Sequence, residues 1–137
     1  MVTCFLLRRD ADGDRVLVLR RSEQVSTYQG RWAGVSGYLE AESPLEQAYR
    51  EIGEETGLER EDIRLLAQAE PVTVTDESID TRWTVHLFLF EALRPERVRI
   101  DWEHLESRWV RPQEVASMDT VPGLAEGLRR VYGPAEK

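Results

Sequence analysis

Two short apolar runs open the chain, at 2–8 (VTCFLLR) and 15–20 (RVLVLR), separated by Asp10-Ala11-Asp12-Gly13-Asp14. The Asp-Gly step favours a tight turn, so the pair predicts two adjoining strands of a hairpin. Residues 32–39 carry Ala33-Gly34-Val35-Ser36-Gly37 and predict a short strand running into a loop. A clear helix is expected from Pro44 to Thr56, where Leu45, Ala48, Tyr49 and Ile52 share one face at 100° per residue. Residues 63–75 read as extended, interrupted by Pro71, and 82–92 (RWTVHLFLFEA) combines alternation with strong β-formers. Arg108-Trp109-Val110 predicts a last short strand. Helical segments follow near 112–118 and 122–132, the second with Leu124, Leu128 and Val131 on one stripe. Strands first, a helix in the middle, more strands and a closing helix predict an α+β or three-layer α/β domain.

Composition narrows the class. A chain of 137 residues suits one domain spanning 1–137, with residues 133–137 expected to fray. With 41% apolar and 32% charged residues it is expected to fold and not to span a membrane, since no apolar run approaches the roughly 18–20 residues a span needs. The run from Val2 to Leu7, followed by Arg8 and Arg9, is too short and wrongly charged for a secretory signal. Cys4 is the single cysteine, which excludes an intrachain disulfide and a cysteine-based zinc site and makes a cytoplasmic location the default. The formal charge of −8 excludes a general nucleic-acid binder, because phosphate backbones need clustered cations. The expected partner is therefore small, or recognised through a metal.

The helix at 44–56 carries the candidate chemistry. Ser43 is placed to cap it, Pro44 occupies the first helical position, Glu46 completes a Ser-x-x-Glu capping box, and Gly57 supplies the stop. Glu51, Glu54 and Glu55 lie at i, i+3 and i+4, on one stripe beside the apolar face. Like charges at these spacings repel, and they sit toward the negative end of the helix dipole. An acidic solvated face is the plain alternative. A bound cation reverses the sign, since Mg²⁺ and Mn²⁺ prefer hard oxygen ligands.

The wider frame is Gly37-Tyr-Leu-Glu-Ala-Glu42, seven residues, then Arg50-Glu51-Ile52-Gly53-Glu54-Glu55-Thr56-Gly57-Leu58. It resembles the box of the Nudix hydrolases, MutT-like proteins. Every fixed position of the C-terminal half is matched, while four residues instead of five separate Gly37 from Glu42. Arg20-Arg21-Ser22, Gly30-Arg31-Trp32 and Trp109-Val110-Arg111-Pro112-Gln113-Glu114 are similar to the flanks of that family. The resemblance implies an α/β fold, an α/β/α sandwich on a mixed sheet. It also implies hydrolysis of a nucleoside diphosphate linked to another moiety, with Mg²⁺ or Mn²⁺ as cofactor.

The same resemblance assigns candidate roles. Glu51, Glu54 and Glu55 are the implied metal ligands, joined by the Gly37 carbonyl, while Arg50, counted with Glu51, Glu54 and Glu103 among the catalytic residues, is expected to pair with Glu42 across the loop–helix junction and shape the site. The proton acceptor stays open between Glu51 and the acidic segment at 101–106, where Glu103 is preferred over Glu106 and Asp101. Arg21 is a candidate phosphate ligand, and Trp32, Trp83 and Trp102 are candidates for stacking on a base. His104 is given no role, and Cys4 reads as a small buried hydrophobe. Competing functions are a nucleotide-sensing module without turnover and an isoprenoid diphosphate isomerase. The first usually lacks one of the box glutamates, and the second needs a better-placed cysteine. The expected partner is a small-molecule nucleoside diphosphate derivative, with no nucleic acid and no membrane. A homodimer is left open.

Overall fold

In the computed structural model, which describes residues 1–133, β1 (Val2–Asp10) and β2 (Gly13–Arg21) form the expected hairpin, with Leu7 opposite Val16 and Asp10 opposite Gly13. Two short strands follow, β3 (Trp32–Ala33) and β4 (Val35–Gly37), then α1 (Pro44–Thr56), at its expected bounds. β5 (Ile63–Asp76) and β6 (Thr81–Ala92) make a long antiparallel hairpin. β7 (His104–Val110) and α2 (Leu124–Tyr132) close the described residues. The expectation of a frayed tail falls, from residue 134 on, outside them.

The strands form one sheet in the order β3-β2-β1-β6-β5, with β4 beside β1 and β7 beside β2. It is mixed because β1 and β6 run parallel, Val2 facing His86 and Leu7 facing Glu91, while the other pairs are antiparallel. Side-chain alternation along β1 divides the interior in two. Val2, Cys4 and Leu6 pack with Ala48 and Ile52 of α1, and Leu45 and Tyr49 lean on that cluster. Phe5 and Leu7 point the other way, toward Leu124, Leu128 and Val131 of α2. One helix therefore covers each face, which makes the α/β/α sandwich. Each fully buried Leu or Phe contributes about 1.5–3 kcal/mol of transfer free energy. No helix among the described residues is long and apolar enough to cross a membrane.

Two elements differ from expectation. Pro71 does not interrupt the extended segment: β5 is continuous, and its register against β6 shifts between Ala69 and Val72. A residue without an N–H is tolerated at such a shift on an edge strand. β7 begins at His104, four residues earlier than predicted, because ladder bonds to β2 hold residues whose side chains alone show no strand pattern. Residues Pro112–Ser117 are helical as expected, and the form is a 3₁₀ helix.

Candidate functional site

The ends of α1 fix its carboxylates in space. The Ser43 hydroxyl accepts the Glu46 N–H at 3.1 Å. The reciprocal half of the capping box is absent, because the Glu46 carboxylate pairs with Arg60 instead. Gly57 sits at φ 79°, in the left-handed region, and its N–H returns to the Gly53 carbonyl.

Gln47, fully buried, ties this helix to the preceding loop. Its Oε1 accepts the N–H groups of Glu40 and Ala41, both at 2.8 Å, and its Nε2 donates to Glu51 Oε2 at 2.7 Å. One amide therefore holds both the loop after β4 and a carboxylate one turn along the helix. Gly37 lies on the other side of that carboxylate. A Cβ at residue 37 would land inside the end of the Glu51 side chain, so any larger residue there displaces that carboxylate.

Glu51 in turn hydrogen-bonds Glu55, which is 3% exposed. Burial, the Glu51 carboxylate and the negative charges of Glu103 and Asp101 push the Glu55 carboxyl up to about 10. It therefore holds a proton at neutral pH and shares it with Glu51. Burial also raises Glu51, whose bonds from Gln47 and Glu55 oppose the rise. His104, equally buried, packs against the pair: its Nε2 is 3.8 Å from Glu55 Oε1 and its Nδ1 is 3.3 Å from Asp101 Oδ1. Burial depresses its pKa, so the imidazole beside Glu55 is neutral.

The sheet delivers Glu103 to the same place. The antiparallel ladder of β7 with β2 ends at Arg21 opposite His104, and the Ser22 N–H continues it to the Glu103 carbonyl at 2.8 Å. Glu103 then lines the cleft with Glu51, Glu54, Gly37 and Arg21. Burial and the charges of Asp101 and Glu51 raise its pKa, against the pull of Arg21. Arg21 is half-buried and clamped: Nε donates to the Thr27 carbonyl at 2.9 Å and Nη2 to the Thr27 hydroxyl at 3.3 Å. Glu106, the rival, points away and pairs with Arg20 and Arg108. Asp101 is occupied with His104 and with the Glu103 N–H.

The remaining candidates divide. Glu54 is exposed on the cleft wall. Glu42 and Arg50 instead line a shallow depression on the outer side of α1, with Tyr49 and Arg60, and among the described residues no ion pair joins them. Trp32 is corrected: its ring is buried in the core under α2, covered by the Arg108 guanidinium 4.9 Å from its centroid, and it does not reach the cleft. Trp83 and Trp102 do line it, together with Tyr28 and Tyr38. Gln47 and His104 were not anticipated as site residues. The only signal for Gln47 was its i, i+4 spacing to Glu51, and for His104 its place beside Glu103.

Among the described residues no three His, Cys, Asp or Glu side chains converge as a ready-made metal site. The donors nevertheless fit a hard divalent cation. Glu51, Glu54 and Glu103 line one cleft with Glu55 buried beside Glu51, and a carboxyl kept protonated by burial and by anionic neighbours is relieved by positive charge.

A family model described as the NUDIX domain matches residues 1–131. A Mycobacterium tuberculosis protein named "Putative 8-oxo-dGTP diphosphatase 3" is 32% identical over 122 residues, covering 88% of this chain and 55% of that protein. The chain thus spans about half the length of the curated relatives it matches. The crystal structure of a Nudix hydrolase from M. smegmatis, RenU, superposes with a TM-score of 0.77 at 26% identity, over 93% of this chain and 80% of that one. The C. elegans Ap4A hydrolase in a binary complex superposes at 0.78 with 18% identity, over 94% and 91% of the two chains, a likeness of fold alone. Proteins of this family generally use divalent metal ions. With the domain matched over nearly its whole described length, and with Glu51 and Glu54 of the box lining one cleft, the chain belongs to the NUDIX family.

Proposed function

We propose that the chain hydrolyses a phosphoanhydride bond of a nucleoside diphosphate derivative, with Mg²⁺ or Mn²⁺ bound by Glu51, Glu54 and Glu55. The observation that carries this is the arrangement of Glu51, Glu54 and Glu103 along one wall of a cleft of about 600 Å³ that also has aromatic side chains. A divalent ion bound there neutralises diphosphate charge and lowers the pKa of an attacking water.

The protein's own groups do the rest. Gln47 and Gly37 hold Glu51 in one orientation. Glu103 accepts the water's proton, a task suited to a carboxylate whose proton affinity is raised by burial and by Asp101. Arg21, immobilised by Thr27, faces the phosphate oxygens with a fixed guanidinium. Neutral His104 packs beside Glu55 and hydrogen-bonds Asp101, so it adds no positive charge to the site. Glu42 and Arg50 take no part in the chemistry and shape the outer side of the helix. The domain is proposed to act from a cytoplasmic location on a small molecule, without nucleic acid or membrane.

A screen of nucleoside triphosphates, dinucleoside polyphosphates and nucleoside diphosphate sugars with each metal, read by product identity, tests the proposal. Metal-dependent release of a nucleotide product from at least one class is expected. Binding of nucleotide without turnover across the screen would point to the sensing module instead.

A further inference from the structure

Beyond the carboxylates, the cleft changes character. Its lining there is Val74, Trp83, Val85 and Leu87 from the β5–β6 hairpin and Pro122 from the run into α2. Tyr28, in the loop between β2 and β3, closes this part. Its backbone lies at φ 54°, a left-handed conformation that is unfavourable for an aromatic residue. Strain of that kind persists only where surrounding contacts over-determine it, and it concentrates at ligand clamps.

The contacts that hold Tyr28 are specific. Its hydroxyl donates to Asp76 Oδ2 at 2.5 Å, across to the tip of the β5–β6 hairpin. Asp76 is itself fixed by the Ser78 N–H at 3.0 Å and the Ser78 hydroxyl at 2.6 Å. The Arg31 guanidinium lies 5.6 Å from the Tyr28 ring centroid, and Trp83 stands 6.4 Å away at a tilt of 57°. Both aromatic rings remain half-buried and border the cleft. The loop carrying Tyr28 also carries Thr27, which clamps Arg21 beside Glu103. Ring and phosphate-facing cation are therefore held by consecutive residues.

Resting on the hydrolase proposed above, we propose that Tyr28, anchored by Asp76, is a specificity-determining residue that forms with Trp83 an aromatic wall on which the base of the substrate stacks. The occupant follows from continuity. A diphosphate placed against the carboxylate end directs the rest of the molecule into the apolar end of the same cleft, and a flat ring is what two fixed aromatic faces recognise.

Calorimetric titration with ADP and with inorganic pyrophosphate, both with Mg²⁺, tests this without any need for turnover. Wild type is expected to bind ADP more tightly than pyrophosphate. Tyr28→Leu should weaken ADP by roughly five- to hundredfold, the range of one base–aromatic stack, and leave pyrophosphate unchanged. Tyr28→Phe and Asp76→Ala keep the ring but release its anchor and should give part of that loss. Tyr28→Gly relieves the backbone strain, so it should stay folded by circular dichroism while losing ADP affinity as Tyr28→Leu does. Equal ADP and pyrophosphate affinity in wild type, or Tyr28 variants that bind ADP as wild type does, would overturn the proposal. So would a loss seen only in Trp102→Ala, which places the base at the exposed rim. A wild type that hydrolyses nothing but shows the Tyr28 losses keeps the wall and refutes only the hydrolase.

Discussion

Glu55 sits in an environment that makes stability depend on pH. An ordinary glutamate in the unfolded chain titrates near 4.5, whereas the folded one is held up to about 10 by burial and by Glu51. Between those values the native state keeps a proton that the unfolded state has lost, so stability falls as pH rises through that window. Metal-free protein should therefore melt at a higher temperature at pH 5 than at pH 8. Glu55→Gln should flatten that dependence, a difference that calorimetric scans of the two proteins read directly. A second expectation concerns Glu103. Because it lines the cleft while Glu106 is paired with Arg20 and Arg108, Glu103→Gln should lower kcat by roughly 10²–10⁴-fold, the usual worth of a general base. Glu106→Gln should stay near wild type in the same steady-state assay. At this scale the sequence was partly legible. The box spacing pointed to Glu51, Glu54 and Glu55, and the acid-rich run pointed to Glu103. Trp32 misled because a lone tryptophan reads equally as core or as stacking surface, and only its burial decides.

Among the elements, α1 depends on Gln47 as much as on its caps. Replacing it by Leu keeps the volume but leaves the Glu40 and Ala41 N–H groups without their acceptor and frees Glu51. A loss of about 1–3 kcal/mol in denaturant unfolding is expected, with a raised metal requirement for activity. The helix itself was readable end to end, since Ser43, Pro44 and Gly57 are local signals whose physics does not depend on the rest of the fold. β6 was equally plain from its alternation. β7 was not: its early residues join the sheet through backbone pairing with β2, an interaction between segments far apart in the chain. That pairing is also what brings Glu103 to Arg21, so the least legible strand positions a proposed catalytic group.

For the whole molecule, the sandwich assigns separate duties to its two faces. α1 carries the carboxylates on one side, α2 closes the second core on the other, and the cleft draws on residues from both sides. Binding of Mg²⁺ or Mn²⁺ to the native state alone should stabilise it by mass action, about 2.7 kcal/mol at a hundredfold excess over Kd. The melting temperature should rise accordingly, roughly 4 °C for each kcal/mol in a chain of this size, and the rise should vanish in Glu54→Gln. The central claim, that these carboxylates form a metal-dependent hydrolytic site, is tested most directly by turnover of a nucleoside diphosphate derivative against metal concentration, in wild type and in Glu54→Gln. Saturable, metal-dependent turnover in wild type, with Glu54→Gln slower by orders of magnitude at limiting metal, is the expected result. Equal turnover of the two proteins at limiting Mg²⁺ and Mn²⁺ would contradict it.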